Sequence, residues 1–559
     1  MKSRKLKDQS DNIAVLTEDI TSSTMPHKWA ALVFLALSVS IIVIDGTIIN
    51  VSLPVIMKAL SLNFTQIEWI TTIYSLIFSA LLITTGRIAD HIGRRFMLVL
   101  GIATFVVGSI FASMSTSIAP MLIARSIQGL GGAIVLPTTL STVNSTFFGK
   151  DRIIAFAVWG SVISGTAALG PLLGGYLTTY FDWRWVFLIN IPIGIAIIIG
   201  ALLFIPKTYG EKMKGFDIFG FILSTLGLAS LVFALIEGRN YGWIKATEGS
   251  HELFGFSIIP WLIALGVASL ILFVVVEKMR LKEQKTVLLD VSLFGLKSFS
   301  AGNIIACIVA IGEFGLLFVL PLYLQNILNF TPLKAGEILA AMGLGAFIAG
   351  GFASEIGRRT YPALVASIGL FLESVGMIGF FFMVSPGIST GTIIFWLVVY
   401  GVGLGMASAQ LTSTVLMDVP PEKSGQGSAT QSTVRQVGSV LGVAIVGTIL
   451  VSFLSVDMTA SFEKAEIPSA VSSGLEQSIV SSAGGSISAI KQDPQLDKYP
   501  PEVKEKLVSS IEDGFTESAA KTIGISGLIV FVGFLLTFML PKKKREFVDT
   551  KPKSLLKDN

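Results

Sequence analysis

Four charged side chains stand inside apolar runs long enough to cross a bilayer: Asp45, Arg125, Glu313 and Glu373. A charge placed in hydrocarbon costs about 2.5–3.5 kcal/mol on insertion scales, so each demands a partner or a water-filled cavity. Such a carboxylate suits one kind of chemistry. Burial favours its neutral form, so it can alternate between binding a proton and meeting a cation. A buried arginine beside it lowers its proton affinity, and separating the two restores that affinity. These groups point to moving ions and solutes rather than to covalent catalysis. No catalytic residue is expected.

The elements that hold them follow from hydropathy. The chain has 559 residues, 52% of them hydrophobic and 14% charged, with a mean hydropathy of +0.75. Soluble domains carry about 25% charged residues, so the composition predicts an all-α integral membrane protein. Apolar runs predict spans at 29–52, 66–86, 96–115, 120–141, 152–177, 184–205, 216–237 and 255–277. Six more follow at 299–325, 332–351, 361–384, 391–416, 430–455 and 520–540. An even tally puts both ends of the chain on one side. Lys and Arg collect in alternate loops: Arg87, Arg94 and Arg95, then Lys207, Lys212 and Lys214, then Lys278, Arg280, Lys282 and Lys285. The positive-inside rule therefore predicts a multi-pass cell-membrane protein with a cytoplasmic tail at 1–28 and a basic cytoplasmic tail at 542–559. In this topology Asp45 lies about 8 residues from the outer end of its span and Arg125 about 5, depths of roughly 12 and 8 Å that permit a direct or water-bridged pair.

Composition also excludes. Cys307 alone rules out an internal disulfide, and one Cys with three His predicts no metal site. The absence of Gly-x-x-x-x-Gly-Lys-Ser/Thr gives no reason to expect ATP hydrolysis. A net charge of +4 says nothing for nucleic acid. No cofactor is expected beyond the proton as coupling ion.

The segment Gly86-Arg87-Ile88-Ala89-Asp90-His91-Ile92-Gly93-Arg94-Arg95 is a polar hairpin between two spans. A shorter copy, Gly351-Phe352-Ala353-Ser354-Glu355-Ile356-Gly357-Arg358-Arg359, recurs between two later ones. Two related hairpins imply two related halves, as in secondary transporters. Here the sequence resembles the major facilitator superfamily, whose signature loop has the form Gly-x-x-x-Asp-x-x-Gly-Arg-Arg. Further motifs resemble its fourteen-helix drug:proton antiporters. Asp45-Gly46-Thr47-Ile48-Ile49-Asn50-Val51-Ser52-Leu53-Pro54 is similar to their first-helix motif, with Ser52 in place of the usual Ala. Arg125-Ser126-Ile127-Gln128-Gly129-Leu130-Gly131 is similar to the motif associated there with proton coupling. Gly165, Gly170, Pro171, Gly174 and Gly175 resemble the antiporter helix of exporters. Trp183-Arg184-Trp185-Val186-Phe187-Leu188-Ile189-Asn190-Ile191-Pro192 matches another family pattern, although its aromatics also suit an interfacial belt.

The resemblance implies a six-helix half at 29–206, two inserted helices with linkers at 207–298, and a second six-helix half at 299–541. It implies Asp45 and Arg125 as proton-coupling residues and Gly86, Asp90, Gly93, Arg94 and Arg95 as a conformational latch, while the mid-span position of Glu313 adds it as a candidate second proton carrier. Asp90 is expected to pair with Arg94 or face a helix start. The shorter copy, with Glu355 for Asp90, makes an equivalent latch there doubtful. Glu313, Glu373, Gln128 and Gln410 are the candidates to line a substrate cavity, Glu313 preferred because Gly312 and Gly315 leave room beside it. Glu237 and Glu337, nearer span ends, are read as hydrated. Segment 456–519 is read as an extracellular solvated loop with one or two amphipathic turns, gating or partner docking being the alternative. The expected function is proton-coupled efflux of amphipathic, often cationic compounds by a monomer in the lipid bilayer, with protons as co-reactant. Export of an endogenous lipid, peptide or metabolite is one alternative. A membrane sensor or scaffold on a transporter fold is another.

Overall fold

A computed structural model of the chain describes residues 27–147, 149–209, 217–247, 250, 252–420, 423–491 and 501–541. The tails expected in the cytoplasm therefore lie outside the described residues, apart from His27 and Lys28. The described chain is almost wholly helical. In order come α1 (Lys28–Ala59), α2 (Phe64–Ile92), α3 (Arg94–Ser113), α4 (Ile118–Thr146), α5 (Gly149–Tyr180), α6 (Trp185–Leu188) and α7 (Asn190–Phe204). Next are α8 (Ile218–Tyr241), a two-stranded ribbon of β1 (Glu252–Leu253) and β2 (Phe256–Ser257), and α9 (Ile258–Lys282). Then follow α10 (Lys297–Asn326), α11 (Pro332–Arg359), α12 (Pro362–Met383), α13 (Thr390–Val415), α14 (Ser424–Lys464), α15 (Ser469–Ser481), α16 (Ile487–Lys491) and α17 (Pro501–Leu536).

Among the described residues, 12 helices are long and apolar enough to cross a membrane, or 13 with bent α2 counted as one span. Helix α5, 32 residues long, supplies the further bundle helix of the expected fourteen. The expected sixth span is present as Trp185–Phe204, α6 passing into α7 through Ile189, whose backbone stays helical.

Helix α4 packs on α2 and α3, while α10 packs on α14 and α12 on α13. Helices α8 and α9 pack on each other, with α8 also touching α2 and α14. Two ends of the bundle can be told apart. The hairpin end carries Gly86–Arg95 and its copy. The far end carries the α1–α2 and α10–α11 turns. At the far end the two helix groups meet: Gln325 Nε2 donates to the Val51 carbonyl at 2.7 Å, Leu333 N donates to Thr179 Oγ1 at 3.0 Å, and the Phe64 and Phe318 rings lie 5.5 Å apart. Helix α5 is wedged between α1 and α11 there, with Gly174 against the Ile48 backbone and Gly175 against that of Pro332. Gly170 faces Thr47 of α1, and Pro171 lies against Gly336 of α11. The side-chain surroundings of Gly165 fall outside the description.

Segment 456–519 differs from the expected loop. Helix α14 runs on to Lys464 and α17 starts at Pro501, with α15 and α16 between them. The reason is helical spacing of apolar residues: Leu507, Ile511, Phe515 and Ala519 are all buried on one face of α17, against Met458 and Phe462 of α14. Asp457 fixes the pairing through Lys521 at 2.6 Å and Ser518 at 2.9 Å.

At the hairpin end the linker before α10 is tied to α14. Asp290 meets Lys423 at 2.6 Å. Burial opposes ionisation of Asp290, but Lys423 and Ser292 outweigh it and hold the carboxyl below its usual range.

Small residues set these helix approaches. A Cβ at Gly131 would lie 2.6 Å from the Phe105 nitrogen and 2.8 Å from the Gly101 carbonyl, both backbone atoms that cannot turn aside. Gly131→Ala is expected to lower unfolding stability by about 1–3 kcal/mol through overpacking. Gly474, with nothing within 4 Å of an added Cβ, is the control, and Gly474→Ala is expected to be neutral or stabilising by up to about 1 kcal/mol. Denaturation of the two purified variants in detergent checks the contrast.

Candidate functional site: two buried acid–arginine clusters

The spacing Arg-x-x-Gln on α4 puts Arg125 and Gln128 on one helix face, a turn apart. That face meets Asp45 of α1. Arg125 Nη1 donates to Asp45 Oδ2 at 2.7 Å, and Gln128 Nε2 donates to Asp45 Oδ1 at 3.0 Å. A third donor comes from a helix the sequence did not nominate: Asn190 Nδ2 reaches Asp45 Oδ1 at 3.1 Å. Asn190 is the first residue of α7. Ser109 of α3 accepts from both amides, at 2.9 Å from Gln128 and 3.2 Å from Asn190. Asp45 is 0% and Arg125 1% exposed, so neither charge meets solvent.

Arg125 is held on three further sides. Its Nη1 also donates to Gln128 Oε1 at 2.8 Å, its Nε to the Ile70 carbonyl at 3.3 Å, and its guanidinium lies 4.3 Å above the Tyr74 ring. Four helices plus α7 thus converge on one ion pair. Gln128, expected to line a substrate cavity, is instead committed to this cluster and fully buried.

The second cluster lies on α10, α12, α13 and α14. Arg435 Nη2 donates to Glu313 Oε2 at 3.0 Å and to Ser408 Oγ at 3.3 Å. Glu373 is fully buried and close enough to interact with both charges, but neither of its oxygens has a hydrogen-bond partner among the described residues. The Tyr400 hydroxyl beside it is also unpartnered. Sequence reading missed Arg435. Its signal was a lone arginine inside the apolar run 430–455, the same signal that singled out Arg125. The Arg435 side chain is 41% exposed, so this cluster opens on accessible space whereas the Asp45 cluster does not. Gln410 is another cavity candidate. Its buried amide packs against Gly357 in the hairpin copy.

The hairpin itself turns at Gly93, whose φ of +123° lies where a side chain is strained. Arg94 Nε meets Asp90 Oδ1 at 2.7 Å, and its Nη1 donates to the Ser141 carbonyl of α4 at 3.1 Å. Arg95 reaches the Ile205 carbonyl after α7 at 3.3 Å. The copy pairs Glu355 with Arg359 at 2.8 Å, so the shorter hairpin keeps the i,i+4 ion pair despite its change of acid. Gly86 faces Pro137 of α4.

Two peripheral expectations change. Glu237 accepts from the Trp69 indole and from Asn240, each at 2.8 Å, so it ties α8 to α2 rather than merely being hydrated. Trp183 is buried under the Arg184 guanidinium, while Trp185 is 45% exposed, so only the latter suits an interfacial belt.

Similarity to known proteins agrees with this architecture. A "Probable actinorhodin transporter" of Streptomyces coelicolor is 30% identical over 93% of this chain and 93% of its own. The "Multidrug efflux pump LfrA" of Mycolicibacterium smegmatis is 29% identical over 91% of this chain and 95% of its own. The inward-facing, occupied crystal structure of a bacterial homolog to the human lysosomal transporter Spinster shares the fold, with a TM-score of 0.61 at 16% identity over 93% of this chain and 99% of that one. The Major Facilitator Superfamily model matches residues 35–443, and this membrane protein of many apolar spans belongs to that superfamily.

Proposed function

We propose that the chain is a proton-coupled exporter of amphipathic, often cationic compounds, working by alternating access, with the hairpin end in the cytoplasm. The observation that carries this reading is the fully desolvated Asp45–Arg125 pair, held by donors from separate helices. In the present arrangement Asp45 is satisfied as an anion. Motion of α1 relative to α4 and α7 would strip it of Arg125, Gln128 and Asn190 together, and an uncompensated buried carboxylate then takes up a proton. Re-forming the pair returns the proton. Arg125 and Gln128 thereby hold the coupling group, and Asn190 joins them in fixing its orientation. The orientation rests on Arg94, Arg95, Lys207, Lys278 and Arg280 at the hairpin end, while Lys464, Lys491 and Lys521 belong to a long segment that the charge rule does not govern. The name of the LfrA relative supports multidrug export. That of the actinorhodin relative supports a second reading, export of one dedicated organic compound, and a substrate panel separates the two.

Asp45→Asn is expected to abolish pH-driven export in inverted vesicles, with protein abundance retained. Full pH-driven export by the variant would remove Asp45 from the coupling role.

The second cluster holds two acids against one base, so it keeps an excess negative charge when all three are ionised. One unit charge acting on a cationic substrate at ~8 Å with an effective dielectric of ~20 is worth about 2 kcal/mol. Glu313→Gln should therefore depress export of a cationic compound on the order of tenfold more than that of a neutral one of similar size. Equal losses for the two compounds would leave Glu313 as a coupling or structural residue.

A further inference from the structure

Glu68 lies one turn into α2, at the far end, and is 3% exposed. Its Oε1 has no hydrogen-bond partner among the described residues. It points across the seam between the two helix groups: a Cβ built on Gly447 of α14 would collide with that oxygen. Closing the seam therefore drives a carboxyl oxygen against the backbone of the opposite group and gives it no donor.

The charged groups around it do not repair this. From α8, Glu237 and Arg239 are the ones that act on it. Glu237 already accepts from Trp69 and Asn240 and repels a second anion, while Arg239, exposed on α8, acts on Glu68 through space and makes no hydrogen bond to it among the described residues. Helix α4 offers Arg125, which is turned to Asp45 and the Ile70 carbonyl. Helix α14 presents Gly447 there, and α10 presents Phe318 against Phe64. An isolated carboxylate in such a position is far costlier than the neutral acid.

We propose that Glu68 is a proton-binding site on the far-end seam, occupied when the seam is closed and emptied when it opens. The proton comes from water at the far end, joins a carboxylate oxygen of Glu68, and returns to the same side on opening. It is not carried across the membrane. Its effect is on the balance of conformations: the state with the higher proton affinity gains population as pH falls, so acid on the far side favours the closed seam. This rests on the alternating-access reading above, but not on Asp45 as the coupling residue.

Spin labels on exposed Lys58 of α1 and Lys334 of α11 report the seam, in a Cys307→Ser background reconstituted in nanodiscs. Double electron–electron resonance at pH 5 and pH 8 should show the short distance dominant in acid and a longer one growing in base. Glu68→Gln, neutral at both values, should lose that shift and keep the short distance. Gly447→Ala, which crowds the oxygen from the other side, should raise the long-distance population already at pH 5. A wild-type response surviving in Glu68→Gln, or a wild type without any pH response, overturns the proposal, as does a Gly447→Ala variant closed at pH 5. Asp45→Asn should keep the distance shift while losing pH-driven export. If it keeps both, the coupling reading falls and the Glu68 site stands.

Discussion

Burying Asp45 and Arg125 together removes two ions from water, and attraction in the low-dielectric interior repays that only when the remaining donors and acceptors are also satisfied. Here they nearly all are. The two Asp45 oxygens accept from three side chains, and Arg125 also donates to Gln128 Oε1 and the Ile70 carbonyl and lies over the Tyr74 ring. Asn190 Oδ1 has no hydrogen-bond partner among the described residues. The arrangement of α1 to α4 and α7 follows from this requirement, because each helix must come near enough to contribute a group. Small residues on α4 permit the approach: Gly129 and Gly131 lie directly against the backbones of α2 and α3. A pair so thoroughly satisfied is stable only in this geometry. Any motion that takes away one donor set makes the anion costly, and a proton is the cheapest remedy.

The far-end seam obeys a different logic. It is closed by backbone approach, a few hydrogen bonds and the Phe64–Phe318 ring contact, with Gly175 of α5 and Gly336 of α11 bringing helices of the two groups close. Contacts of that kind can be parted and remade at low cost, because little side-chain ordering is lost or gained. The extended ends of α14 and α17 lie at the same end, and their Phe462, Ile511 and Phe515 belong to one apolar core with Met57 of α1 and Tyr323 of α10. They enlarge the second helix group on that side.

Charges in hydrocarbon were legible in the sequence because each one breaks an apolar run, and Asp45 and Arg125 stood out on that ground before any partner was known. Their depth along the helices even brought them to the same level. Asn190 was not legible in the same way. An uncharged amide costs less in a membrane and signals weakly, and nothing in one sequence says which distant helix it will face. Glu68 was hidden by its polar neighbours Asn63 and Gln66, which make a span end look like an interface, whereas Arg435 carried a readable signal inside the run 430–455. The helices of 456–519 carried a readable signal in the spacing of Leu507, Ile511 and Phe515, but a Ser-, Lys- and Glu-rich composition obscured it.

Asp45 of α1 and Glu313 of α10 each lie on the first helix of their group, one helix before the one that enters a charged hairpin, and each meets an arginine, yet the two clusters differ in access. Arg125 is sealed, so the first cluster exchanges nothing with solvent until helices move. Arg435 is 41% exposed, and Glu373 beside it has no hydrogen-bond donor among the described residues. A cation entering from the exposed side meets a base already shared between two acids, and the acid that lacks a hydrogen bond has the most to gain from it. A sealed pair is suited to gating a proton by conformation, whereas an open cluster with a surplus acid is suited to sensing what occupies the space in front of it. On the reading proposed above, separate helix groups would let substrate charge vary without disturbing the coupling group.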